Sequence, residues 1–583
     1  MKSTIVLKST ARLLWIVPLL IVSCNPPAEV PTDPQTTGCS IPASTIATWF
    51  QSGTVTLNGT VNPANSITFP GTPNCSFYQW SEQMFLWMTS PTTSVYGGSG
   101  RIFESPAFFD VSPPDASGMR TLIPHTPGLI RAMAVRAAQA GPHHLPALLN
   151  KAGRLIEIEP TPLGPTGKPL ILNRAGQPIE IEEIRPSENG HPVFLDKDHK
   201  PIEGAHPLFK TDRASKSIVQ RFRVGKGPIF LDSAGDIVDV EEGEADSGVL
   251  MSQGNSLIYY IVLVNDVYAY FRTGTHDGNI STFHFPVAAG DLSPITALAA
   301  TKSVTLPDSV ALAVEVKSSW VLASSIPNPA DYITITAAVP RYNKTATQWT
   351  VVPNVMDTVQ LAMTGIHVVG SVAGHDEMIW ATFVHDSIAP DSTYAYTNFS
   401  NATAFVPVNT SGSWVLCANG AAGPYNQMRQ SFDFSTGNIV ATSGNTIGPS
   451  NILTMKPWGA GSDISPNPID GSPAASNAEI ISVNNSVQGT LIAGDPRKNY
   501  IFRGATWTTG GPPTPIPPGQ FALGGNEVGT SSLANVTMET FVQGNTFVRT
   551  GTNCFDCHQA ANPALPVADT FVSHIFPVLR PLF

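Results

Sequence analysis

Cys554-Phe555-Asp556-Cys557-His558 constrains this chain more tightly than any other five residues in it. Two thiols three positions apart share one side of a helical turn, and the histidine that follows projects beside them. This C-x-x-C-H spacing is that of covalent c-type haem attachment, in which each sulfur closes on a vinyl group and the imidazole reaches the iron. With six Cys and thirteen His in 583 residues, chance would place the pattern in roughly one such chain per thousand. The rival readings are half of a zinc site and a bare redox dithiol. A zinc site needs a second ligand pair, whereas Cys24, Cys39, Cys75 and Cys417 are scattered singly.

Haem attachment of this kind takes place outside the cytoplasm, so an export signal is expected. Lys2, Lys8 and Arg12 precede an apolar run at residues 13–22 that is too short to span a bilayer as a permanent helix. Ile21-Val22-Ser23-Cys24 resembles the lipobox of bacterial lipoproteins. Residues 1–23 are then a signal peptide, and Cys24 becomes an acylated first residue that anchors the protein to a membrane. A plain signal peptide whose cleavage site happens to contain Cys is the alternative. Asn25 after Cys24 favours the outer membrane, on its periplasmic or cell-surface side. Residues 24–40 are rich in Pro and Thr and read as an extended tether that holds the folded part away from the lipid.

Charged residues make up 13% of the chain, about half the usual share, beside 48 Gly and 52 Pro. That balance suits a β-rich extracytoplasmic protein. A net charge of -11 argues against nucleic acid as a partner. With Cys554, Cys557 and Cys24 assigned, an oxidising compartment permits one disulfide among Cys39, Cys75 and Cys417. Cys39 with Cys75, both near the N-terminal boundary, is the expected pair; three buried thiols are the alternative.

Along the chain, residues 41–142 form a mixed segment with helices. Phe77, Trp80, Met84, Trp87 and Met88 at helical spacing predict a buried helix over 74–91, read as core rather than as a haem contact. A second helix is expected at 129–140. Residues 143–247 read as an inserted β-hairpin repeat: ALLNKAGRLIEIE, LILNRAGQPIEIE and IFLDSAGDIVDVE, with a degenerate VFLDKDHKPIE between the last two. Asn150, Asn173 and Asp232 with Gly153, Gly176 and Gly235 carry the turn chemistry, and Asp196 opens the degenerate turn. Glu157, Glu159, Glu180, Glu182, Glu241 and Glu242 are placed on wet strand faces rather than in a cation site.

Residues 248–530 read as a mainly β core, sandwich or barrel-like, with strands within 248–272, 311–322, 331–339, 348–352 and 365–385. Residues 398–518 are rich in Gly, Pro, Ser and Asn and read as loops with short strands at 414–416 and 500–505. A metal site from His367, His375 and His385 would need a hairpin near Gly374 to bring His367 to His385; hydrogen-bonded core histidines are the plainer reading. Residues 531–583 are expected to form a small α-helical haem c segment that opens with a helix at 533–543. From Thr552 onward the chain is too short to enclose a haem alone, so this segment must dock on the β body, with Met538 and Phe541 as candidates for the wall.

The pieces QMFLWMTSP, AVEVKSSW, GIHVVG with MIWATFVHD, LANVTMETFVQ and TNCFDCH, in this order, resemble a group of large bacterial cytochrome c family lipoproteins. The resemblance covers scattered blocks from Cys75 onward. It implies one covalent haem c at Cys554 and Cys557 with His558 as axial ligand, and nothing about substrate. In contrast with small soluble cytochromes c, no Met follows Cys557.

The strong iron ligand downstream of His558 is His574, which shares a stripe with Phe571 and Val578. Met538, a β-core histidine and an open sixth position are the alternatives. Two histidines would lower the potential and favour electron transfer; an open position would favour a peroxidase or oxygenase. The expected function is that of a lipid-anchored monohaem electron carrier with an unnamed redox partner protein. The alternatives are a haem-dependent enzyme and a non-catalytic β-rich surface binder that carries a haem. No Ser/His/Asp hydrolase motif, phosphate loop or zinc-protease helix is present.

Overall fold

The computed structural model describes residues 30–35, 38–69, 74–97, 99–112, 119–125, 130–131, 139–140, 146–150, 155–159, 161–185, 192–209, 218–224, 227–238, 240–241, 248–281, 284–433, 437–442, 444–458, 472–508, 527–530, 533–540, 554, 558, 572–573, 575–576 and 579–583. Its frame is a mainly antiparallel sheet of twelve strands. The path through it uses β1 (Phe108–Val111), β2 (Leu122–Pro124), β3 (Ile258–Asn265), β4 (Val314–Leu322), β6 (Gln348–Val372), β7 (His375–His385), β10 (Tyr500–Thr508) and β11 (Glu527–Gly529). Their order is β2-β1-β3-β4-β6-β7-β10-β11, and β5 (Thr334–Lys344) pairs with β6. A sandwich or barrel was expected. Instead, among the described residues no pairing closes the path from β2 to β11, and helices cover both faces.

Alternation along the strands divides the core in two. Tyr259, Ile261, Val316, Ile366, Val368, Ile379, Ala381 and Phe383 point to one face, where helices α2 (Asn74–Met88) and α5 (Pro473–Thr490) pack, as does the short α1 (Ala43–Trp49). Val264, Val369, Met378 and Trp380 point to the other, beneath α3 (Asp266–His276) and α4 (Ala289–Thr301). Helix α2 is buried on nearly every side: Trp80 is fully enclosed, donates to Ser66 Oγ at 3.0 Å, and lies so close to Gly370 that a Cβ there would meet its ring at 3.0 Å. Phe85 stacks on Phe383 with ring centres 4.3 Å apart. Cys39 and Cys75 are joined by a disulfide at the first turn of α2.

Several expectations are corrected. The described ends of the 129–140 segment, Ile130–Arg131 and Gln139–Ala140, are strand rather than helix. The strand expected within 248–272 stops at Asn265, whose side chain caps α3 by accepting from the Tyr268 amide at 3.1 Å. The strand expected at 348–352 and the first part of the one expected at 365–385 belong to one long β6, and the rest of the latter is β7. Within the loop-rich stretch stands the eighteen-residue α5, capped by Ser472 with Pro473 in its first turn. Residues 533–540 make turns rather than a helix: both Met538 and Glu539 donate their amides to the Asn535 carbonyl.

The hairpin repeats form smaller sheets with their own core of Ile171, Ile181, Phe194, Phe222, Ile229 and Leu231. Each described turn uses one device. Oδ1 of Asn173 accepts from Ala175 and Gln177, that of Asp196 from Asp198 and Lys200, and that of Asp232 from Ala234 and Asp236. His199, with φ of 56°, stands where the other two turns have glycine. Glu157 and Glu159 are buried, not wet, because their strand is inside the six-stranded repeat sheet; Glu180 binds Thr166. Of the other glutamates, Glu182 is exposed and pairs with Lys168, while Glu242 falls outside the described residues.

The tether is also shorter than expected. Residues 30–35 lie against α5 and a hairpin of β8 (Tyr394–Thr397) and β9 (Thr403–Val406). Asn485 Nδ2 donates to the Pro31 carbonyl, Ser482 Oγ to that of Gln35, and Gln35 N to that of Thr397.

Candidate functional site

The structure docks the C-terminal segment on the α3/α4 face of the sheet. Val572, Ile575, Phe576 and Leu579 are buried there among Tyr268, Phe271, Phe285 and Trp380, and half-buried Cys554 packs against the same cluster. The His558 amide donates to the Cys554 carbonyl at 2.8 Å, so these two residues span one helical turn. His558 Nδ1 donates to the Val572 carbonyl at 2.9 Å, and its ring lies 4.2 Å from that of Trp380, centre to centre. A neutral imidazole that donates from Nδ1 carries its lone pair on Nε2.

The segment that accepts His558 is fixed by a polar network sequence reasoning missed. Ser573 Oγ donates to Glu315 Oε2 at 2.5 Å and meets the Tyr268 hydroxyl at 2.7 Å. Burial pushes the Tyr268 hydroxyl far above its ordinary range, and the Glu315 charge adds to this. Tyr268 comes from α3, Glu315 from β4 and Ser573 from the docked tail, so one network joins three elements. No spacing in the sequence brings them together.

Pairing register extends this face. Glu315 lies opposite Val369, which lies opposite Trp380; one row along, Lys317 lies opposite His367, and His367 opposite Thr382. Successive rows on one face are about 7 Å apart. In the second row His367 Nε2 contacts Glu539 at 3.0 Å and Lys317 Nζ lies 3.8 Å from the same carboxylate. Burial would raise the Glu539 carboxyl, but the charge and hydrogen bond of His367, with Lys317, hold it below its ordinary value. In the next row Ser319 Oγ meets Thr537 Oγ1 at 2.6 Å, while Asn535 Nδ2 donates to Thr382 of the second row. Gly365, opposite Ser319, leaves room for Asn535, whose Nδ2 a Cβ there would meet at 2.8 Å.

The other histidines do not converge. The hairpin at Gly374 exists, yet His367 faces Thr382 across it, while His385 stacks on Tyr332 and His375 bonds Glu377. Met538 is buried with Tyr260, Val321 and Val384, in a cluster separate from that of Cys554, so it is not part of the tail's dock. Cys557, His574, Phe541 and Cys24 lie outside the described residues. Cys417 is buried, which pushes its thiol up to about 11.

No family model matches the chain, and no curated protein or solved structure matches it.

Proposed function

We propose that this protein is an exported, lipid-anchored monohaem c-type cytochrome that transfers electrons. The observation that carries the reading is the His558 ring: the Nδ1 bond to a backbone carbonyl is the support that an iron-ligating histidine needs to present Nε2. Cys554 on the same helical turn, Trp380 beside the ring and the apolar tail give a wall suited to one side of a porphyrin. Cys554 and Cys557 would hold the group, and His558, with His574 as the proposed second ligand, would bind its iron. A bound haem c supplies a one-electron iron couple. The other residues have simpler tasks: Val572 orients His558, and Ser573, Tyr268 and Glu315 hold Val572 in place. Among the described residues no helix is long and apolar enough to cross a membrane, and attachment is assigned to acylated Cys24.

The test is a spectrum of protein matured in a host able to attach haem c, with and without His574→Ala. A haem that survives denaturation and is six-coordinate until His574 is removed is the expected result. Colourless protein with both sulfurs open to alkylation would overturn it.

One observation favours a second reading, a haem-dependent enzyme. His367, held by Glu539 next to Lys317, is an acid-base pair one row from Trp380 on the face that receives His558. Rapid binding of carbon monoxide or cyanide by the native protein would select this reading over electron transfer.

A further inference from the structure

The described chain starts at one defined place, Val30, against α5 and close to the tip of the β8–β9 hairpin. Asp33 is bound there twice: its carbonyl accepts from the Phe399 amide at 2.9 Å, and its carboxylate accepts from the Tyr396 hydroxyl at 2.5 Å. Pro34 bridges Asn398, and Val30 packs against the main core. From Val30 back to Cys24 the chain is six residues, at most about 22 Å when fully extended. A body held by acyl chains on Cys24 therefore cannot stand far from the lipid, and the parts of it bound to residues 30–35 are this hairpin and α5.

The hairpin has the surface such a position requires. Phe399 at its tip is 66% exposed and Phe405 on β9 is 71% exposed, the latter equal to the most exposed large apolar side chain described. Val408 and Met455 are exposed beside them; the Val408 amide donates to Thr393, and Ser392 donates to the Met455 carbonyl. Residues 392–428 contain no Asp, Glu, Lys, Arg or His. Residues 392–428 therefore bring no charge of their own to the lipid, the nearby Asp33 carboxylate being bound by Tyr396, whereas exposed aromatic side chains gain by leaving water.

We infer that the β8–β9 hairpin is a membrane-contacting face, with Phe399 and Phe405 inserted into the interfacial region of the bilayer that holds Cys24. The inference rests on the lipid-anchor reading of Cys24. It gives the protein a fixed orientation on the lipid, in place of free swinging on a tether.

The experiment uses the full, matured protein in phosphatidylethanolamine and phosphatidylglycerol vesicles, with a nitroxide label on Phe399→Cys, Phe405→Cys or, as a control on exposed α4, Ser293→Cys. Labels at 399 and 405 are expected to lose access to a water-soluble nickel relaxant several-fold relative to the label at 293. If both hairpin labels stay open to nickel on protein whose mass shows acyl groups at Cys24, the hairpin proposal is overturned and the anchor stands. A mature chain without acyl mass at Cys24 overturns both. Shielding that disappears on dilution to one copy per vesicle assigns the face to a second copy of the chain and overturns the lipid contact.

Discussion

The two faces of the central sheet are built from the same strands by different means. Toward α2 and α5 the strands present Ile366, Val368, Ile379 and Phe383, met by Trp80, Phe85 and Phe77. Toward the docked tail they present a mixed face, with Glu315, Lys317, Ser319, His367 and Thr382 set among Val262, Val264, Val369 and Trp380. Strand alternation thus lets one face hold the fold while the other carries chemistry. An error of one residue in register would exchange the two.

The difference can be broken from either side. Trp80→Ala removes a fully buried side chain and is expected to cost about 3–5 kcal/mol, read by denaturant unfolding, with the haem spectrum unchanged in the protein that remains folded. On the other face the response should be to charge. Burial raises the Asp266 carboxyl at the start of α3 to about 7, against about 3.9 in an unfolded chain. The folded state holds the extra proton, so this contribution to stability is complete below about pH 3.9 and is lost as pH rises through 7. Asp266→Asn keeps an acceptor for the Val267 amide and cannot ionise. Relative to the parent it should gain up to about 4 kcal/mol between pH 5 and 8, measured as the pH dependence of unfolding. The smallest effect sharpens the comparison most. Ser573→Ala removes one donor from Glu315 and should cost about 1–3 kcal/mol, felt as easier proteolysis of the tail and a heterogeneous haem signal rather than as a lower melting point of the sheet.

What could be read in advance follows the same division. Helix α2 and the doubly buried β3 announce themselves through aromatic spacing and unbroken apolar runs. Helix α3 does not, because it begins directly after the last residue of a strand with no Gly or Pro between, and its cap, Asn265, also bonds Val314 of the neighbouring strand and Leu312 just before it. Helix α5 hides for another reason: PAASNAEIISVNNSVQGT is buried on most sides and has no apolar stripe, although Ser472-Pro473 was a readable start. The 129–140 segment misled because its alternating Arg and apolar residues fit either period. At the site, Cys554 and His558 are legible since their chemistry is local. Trp380, Glu315, Tyr268 and Ser573 are not, since only pairing register and the path of the tail bring them together.

The first and last described stretches are secured on opposite sides of one sheet: residues 30–35 on the side of α5, and Val572, Ile575, Phe576 and Leu579 beneath α3 and α4. If the first end marks the lipid and the proposed haem sits at the second, the redox centre would look outward, on the side of the sheet away from the bilayer. Its partner would then be a diffusing or facing protein in the aqueous phase, and a carrier dissolved in the membrane would be on the wrong side to reach it.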